Sequence, residues 1–154
     1  DPKQEQSFAF NIIPQIDEFQ KNDFTKEEMK LVWETQKILN DYDLLVNATA
    51  VRVPVRVGHS EAVSIQTEIA ISPDQIKEVL SQSQSIEIID DVNEKLYPTP
   101  LIHGDNTNLV YVGRIRKDNT LKNGINLWVV ADNIRKGAAL NGVQIAEVLV
   151  KNYY

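Results

Sequence analysis

The 154 residues contain no cysteine, only two histidines and only six glycines. Without a thiol the chain forms no disulfide, holds no cysteine-ligated metal and supplies no thiol nucleophile of its own. Two histidines, His59 and His103, with no carboxylate cluster at ligand spacing beside them, do not make a metal site, so none is expected. The few glycines form neither a G-x-G-x-x-G nor a P-loop motif, so no phosphate-cradling loop is recognisable. No apolar run reaches the roughly 20 residues that span a bilayer, and no signal-peptide pattern opens the chain. Basic residues are outnumbered, 16 against 22, and the net charge of −6 argues against nucleic acid or an anionic membrane as partner. A soluble, cytoplasmic protein is the expectation. The first residue is Asp1 rather than Met, and residues 1–7 are polar and unpatterned, which reads as a chain that begins partway through a longer one.

What remains is ordinary for a folded domain: 42% hydrophobic and 25% charged residues, in a length that buries a real core. Thr25 and Glu28 form a capping box for a first helix, with Met29, Val32, Trp33 and Leu39 as its buried stripe. Ser72-Pro73-Asp74-Gln75 is a second helix start, with an N-cap, a proline at the first helical position and a glutamine at the third. Residues 48–57 and 62–71 read as strands joined by a turn at Gly58–Glu61, which predicts a hairpin. Ile86–Ile89 reads as a short strand, and the stretch Asp91–Asn108, with Pro98, Pro100 and Gly104, as an irregular connection. Strands follow at Leu109–Arg116 and Ile125–Ala131, then a helix from near Asp132 to about Val150. Strands dominate the middle and helices do not alternate strictly with them. The fold class is therefore α+β, a largely antiparallel or mixed sheet with helices on one face.

One stretch carries chemistry. In residues 51–57 the valines alternate with Arg52 and Arg56, which gives one apolar and one basic strand face. Gly58 breaks the pattern and delivers His59, with Glu61 near enough to orient its ring. A planar guanidinium suits a bidentate carboxylate clamp, and an imidazole titrates near neutrality, as a general acid/base must. Taken alone, the pattern favours the plainer reading of each, a surface arginine and a turn histidine. Glu34 and Lys37 lie three apart on one helical face, either as an exposed ion pair or as a bracket for a zwitterionic or phosphorylated substrate. His103, in a loop, reads as incidental. The Gly113–Lys117 segment reads as a charged sheet face, suited to a subunit contact.

Several blocks together resemble the C-terminal part of aspartate-semialdehyde dehydrogenase: Ala9–Asp17, Glu34–Lys37, Val51–Ala62, Gly113–Asp118, Asn126–Asn141 and Val143–Glu147. They run in order along nearly the whole chain. The resemblance implies a domain like the C-terminal domain of glyceraldehyde-3-phosphate dehydrogenase-like enzymes. In it His59 is the acid/base, Arg52 holds the substrate carboxylate, Glu34 the substrate amino group and Lys37 the phosphate site. Asn133 contacts NADP near the nicotinamide. The implied reaction interconverts aspartate semialdehyde, phosphate and NADP with aspartyl phosphate and NADPH through a thioester on a cysteine. It serves lysine, threonine, methionine and isoleucine synthesis. A homodimer is also implied.

The family's cysteine and its glycine-rich dinucleotide domain belong to a segment that precedes these blocks. Residues 1–131 are then the substrate-binding and dimerisation domain. Residues 132–154 form a final helix that packs on the dinucleotide domain in the family. Ala138, Ala139, Val143, Ile145, Ala146 and Leu149 spread apolar surface around that helix, which should fray or pair with another copy if its partner is missing. The alternative is a stand-alone, non-catalytic dimeric binding module. One assay tests the account of the missing parts: the 154-residue chain alone should show no phosphate-dependent NADP reduction with aspartate semialdehyde, because it has no thiol to form an acyl intermediate. Turnover by this chain would overturn the reading.

Overall fold

A computed structural model describes residues 7–153. The expectation of an unpatterned start lies outside the described residues, apart from Ser7. The chain divides into two compact units, residues 1–54 and 55–154.

The first unit is built on helix α1, Lys26–Leu39, which starts where the capping box places it. The Thr25 side chain accepts from the Glu28 N–H at 3.3 Å, and Glu28 returns its carboxylate to the Thr25 N–H at 2.7 Å. A left-handed Asn40 ends the helix, a conformation that asparagine tolerates better than most residues. Glu28 does more than cap. Its second oxygen accepts the Ala50 N–H at 2.9 Å, and donation from Thr25 and then Ala50 holds its carboxyl below the ordinary glutamate value. The expected buried stripe is only partly realised: Met29 and Val32 are half-buried, but Trp33 is 51% and Leu39 62% exposed. Within this unit α1 is flanked by irregular segments rather than by a second regular element, which leaves part of its apolar face uncovered.

The second unit holds a four-stranded sheet in the order β1-β4-β3-β2. Its strands are β1 (His59–Gln66), β2 (Ile86–Ile88), β3 (Val110–Lys117) and β4 (Gly124–Ala131). β4 pairs antiparallel with β1 on one side and β3 on the other, while β2 joins β3 in parallel. Helix α2, Pro73–Ser81, carries the expected Ser72–Gln75 capping box with Pro73 in its first turn. Its Ile76 and Leu80 pack against a core of Val112, Ile115, Ile125 and Leu127. Ile125 is 1% and Val130 0% exposed. At about 1.5–3 kcal/mol for each fully buried aliphatic side chain, β4 is the strand on which this unit most depends.

The predicted hairpin does not form. Residues 48–57 make no ladder, and their strand character is confined to an isolated bridge in which Arg52 exchanges backbone hydrogen bonds with Ile13. The second strand starts at His59 and pairs with β4. Pro54 has no N–H to donate to a ladder, and Val51, Val53 and Val55 are all exposed. Valine alternation here marks an extended segment, not a paired strand.

β3 is bulged between Gly113 and Arg116, where Arg114 takes a positive φ of 54°. Asp90 pins this bulge, its carboxylate accepting the Arg114 N–H at 2.7 Å and the Ile115 N–H at 3.2 Å while Lys77 of α2 sits 2.9 Å away. The Asp90 side chain is only 3% exposed. Beside the bulge a Cβ on Gly113 would collide with the Ile89 carbonyl and stand 2.6 Å from Pro98 Cδ, so only glycine fits there. Asp90→Ala strips partners from two N–H groups and one ammonium. The expected loss is about 1–3 kcal/mol, read as a lower denaturation midpoint by chemical unfolding; an unchanged midpoint would remove the pin.

Candidate functional site

Each unit holds part of the sequence-derived constellation. In the first, Glu34 and Lys37 project from α1 with exposed side chains. They do not form the surface ion pair that their spacing allowed: among the described residues the ion pairs are Lys30–Glu27 and Lys77–Asp90. Both side chains therefore remain open to a ligand. Arg52 is exposed, and its backbone is fixed by the Ile13 bridge at 3.1 and 2.8 Å. Two residues before it, the Glu28–Ala50 hydrogen bond ties the same segment to the first turn of α1. Glu28 thus anchors the segment that carries Arg52 to the helix that carries Glu34 and Lys37.

In the second unit, His59 is the first residue of β1, not part of a hairpin turn, and its register partner is Ala131, the last residue of β4. That pairing sets the imidazole-bearing residue beside Asp132 and Asn133. His59 and Glu61 share a strand face by alternation, yet Glu61 makes no hydrogen bond or ion pair to His59 among the described residues.

The chain then turns into its last helix through a cap at Asp132, where the sequence reading starts that helix. Asp132 is buried, and its carboxylate accepts the Ile134 and Arg135 N–H groups, each at 2.9 Å. Donation from Arg135 foremost, and from Ile134, holds its carboxyl below the ordinary aspartate value against the opposing effect of burial. The turn continues as π-helix over Arg135–Ala139, with Gly137 and Ala139 donating five residues back to the carbonyls of Asp132 and Ile134, before α4, Leu140–Tyr153. Such π-turns recur at functional sites. Arg135 also reaches Asn108 and Asn106 at 2.8 and 3.1 Å, tying the loop before β3 to this corner. No residue of α4 is buried.

Asn133 sits half-buried in this turn, and its Oδ1 accepts the Gly58 N–H at 3.1 Å. Its Nδ2 makes no hydrogen bond to protein among the described residues. A free amide donor is thus left at this corner. His103, expected to be incidental, has a structural part: Nδ1 accepts the Thr99 N–H at 3.0 Å, and the ring lies 4.9 Å from that of Tyr111. On the sheet face opposite the α2 side, Trp128 donates to the Pro98 carbonyl at 3.0 Å. It lines a shallow groove of about 300 Å³ with Ala62, Tyr97, Arg114 and Arg116. No group of three or more metal-ligating side chains exists among the described residues.

The sheet therefore defines an α+β domain that presents an imidazole and an amide at one corner, while a separate unit offers a guanidinium, a carboxylate and an ammonium. The family described as semialdehyde dehydrogenase, dimerisation domain, matches residues 3–136, and the chain belongs to it. Its relatives are aspartate-semialdehyde dehydrogenases. That of Shewanella violacea is 56% identical over 153 residues, which cover 99% of this chain and 44% of the relative. The crystal structure of aspartate semialdehyde dehydrogenase II from Vibrio cholerae, complexed with ASA, has a TM-score of 0.91 and 52% identity over 97% of this chain and 44% of that one. The Candida albicans enzyme, solved with NADP, has a TM-score of 0.74 and 30% identity, covering 92% of this chain and 45% of that one. The chain thus spans less than half the length of the relatives it matches. The expected fold class is the one found.

The Asp132 cap makes a prediction for acid stability. A folded value below the ordinary 3.8 means that the unfolded chain takes up the proton first. The stabilisation is then complete above the unfolded value and is lost as pH falls through the folded one. Asp132→Asn removes the titration but keeps one acceptor oxygen. The wild type should lead the variant in thermal midpoint near neutral pH and lose that lead as pH falls below the ordinary aspartate value of 3.8; a pH-independent difference would show that the cap is not titrating.

Proposed function

We propose that this chain supplies the substrate anchors and the proton-transfer group of an NADP-dependent aspartate-semialdehyde dehydrogenase. The enzyme would be cytoplasmic and serve amino-acid synthesis toward lysine, threonine and methionine. The observation that carries the reading is the β1–β4 register, which sets His59 beside Asn133 at one corner of the sheet. Arg52 holds the substrate carboxylate with its planar fork, Glu34 takes the substrate ammonium, and Lys37 attracts phosphate or the phosphoryl group of aspartyl phosphate. His59, exposed at the start of β1, moves the proton as the carbonyl carbon changes geometry. Asn133 offers its Nδ2 to the nicotinamide carboxamide. NADP, when bound, supplies the hydride acceptor. The nucleophile must come from outside these residues, since the chain has no cysteine.

Two surfaces fit the same reading. The open sheet face with Trp128, Arg114 and Arg116 suits a second copy in a homodimer, in keeping with the dimerisation-domain match. Val143, Ile145 and Leu149 of α4 are exposed, as they would be on a helix that packs against another domain of the full-length protein.

Two substitutions in the full-length protein separate the assigned roles. Arg52→Lys replaces a fork with a point charge and should weaken substrate binding by about 1.5–3 kcal/mol, read as a raised KM for aspartate semialdehyde. His59→Asn should lower kcat by about 10²–10⁴-fold with KM little changed. Wild-type kinetics in either variant would remove that residue from the mechanism.

A further inference from the structure

Behind His59, two backbones meet at a distance only glycines allow. Gly58 has a φ of 87°, the left-handed region that side chains resist. A Cβ built on it would stand 2.9 Å from both Cα and the carbonyl oxygen of Gly104, and 3.3 Å from the Ala131 carbonyl. Gly104 is itself buried, and its own Cβ would meet the Pro100 carbonyl at 2.7 Å and Gly58 Cα at 3.2 Å. Gly104 ends the one-turn helix α3, Pro100–His103, donating to the Pro100 carbonyl at 2.9 Å. His103 closes the same turn through the Thr99 N–H. Gly58 is therefore backed by a fixed turn, and its N–H is held by the Asn133 amide oxygen.

We propose that Asn133 is a positioning residue for His59. With Gly104 as backstop, its Oδ1 fixes the peptide that enters β1 and so sets where the imidazole stands. The inference rests on the reading of His59 as the acid/base, and it gives Asn133 a second duty beside the nicotinamide contact. The two duties use different atoms: Oδ1 is committed to Gly58, and Nδ2 is left for the cofactor. They can therefore be separated by substitution. Asn133→Asp keeps the acceptor and loses the donor, Asn133→Ala loses both, and Gly104→Ala disturbs the backstop without touching any residue assigned to a ligand.

The experiment is done in the full-length protein, with kcat measured at saturating NADP alongside hydrogen exchange at the Gly58 amide. Asn133→Ala is expected to deprotect Gly58 and to lower kcat by about 10–100-fold, since a displacement near 1 Å at a reacting group costs up to about 10²-fold. Asn133→Asp should restore both Gly58 protection and most of kcat, while its KM for NADP stays raised. Gly104→Ala should lower kcat without changing the KM for NADP, which keeps the test open if Asn133→Ala fails to fold. The proposal is overturned if Asn133→Ala raises only the NADP KM, or if a folded Gly104→Ala retains full kcat. Gly58 exchange reports the hydrogen bond whatever His59 does. An active His59→Asn enzyme would instead sink the acid/base reading, with Gly58 protection unchanged.

Discussion

The second unit depends on the register between β1 and β4. β4 lies inside the sheet with a ladder to β1 on one side and to β3 on the other, and its buried Ile125, Leu127 and Val130 hold the unit together. Side chains alternate with period two, so a slip of one residue would turn Val63 and Ile65 away from the α2 side and bring Ala62 and Ser64 into it. With aliphatic burial worth about 1.5–3 kcal/mol per side chain, such a slip is strongly disfavoured. That packing preference fixes His59 opposite Ala131, and through it the distance from the imidazole-bearing residue to the Asp132–Asn133 turn. The position of the residue proposed to move the proton is thus set by the core.

The same economy appears in how carboxylates are used. Glu28, Asp90 and Asp132 each accept two backbone N–H groups, and each does so where the chain leaves regular structure. Glu28 joins a helix start to the segment before Arg52, Asp90 holds a bulge open, and Asp132 starts the last helix. An N–H that loses its ladder partner and stays buried costs about 1–3 kcal/mol, and a carboxylate removes that cost at two donors together. The residues assigned to ligand binding, Glu34, Lys37, Arg52 and His59, are exposed by contrast. Acidic side chains that build the frame and the one proposed to face a substrate are therefore different residues.

Local chemistry was legible in the chain. Both capping boxes lie where Thr25-x-x-Glu28 and Ser72-Pro73-x-Gln75 put them, because a cap is settled within four residues. β3 and β4 followed from their apolar runs. The hairpin failed because Val51–Val57 alternates as a strand does, yet alternation names no partner, and β1 finds its own 58 to 72 residues later. The α1 stripe failed in part for a related reason: periodicity marks an apolar face without saying how much of it is covered. Asp132 carried a readable signal, an aspartate directly before a helix. Glu28's second bond, to Ala50, spans 22 residues and left none. Of the site, the residue types were visible, but their roles came from the family resemblance rather than from spacing.

Asn133 shows why composition could not give its second role. An asparagine at the head of a helix looks like a cap, yet the cap here is its neighbour Asp132, whose oxygen takes the helix N–H groups. That frees the Asn133 side chain to reach across 75 residues to Gly58. An amide is suited to this place in a way that a carboxylate is not, since it offers an acceptor and a donor on opposite branches of one rigid plane. The acceptor is spent on the frame and the donor is left facing outward. Coupling both through one side chain means that whatever orders the Nδ2 end also steadies the peptide before His59. Cofactor contact and acid/base placement would then not be independent: ordering Asn133 against a nicotinamide would sharpen the position of the group that moves the proton.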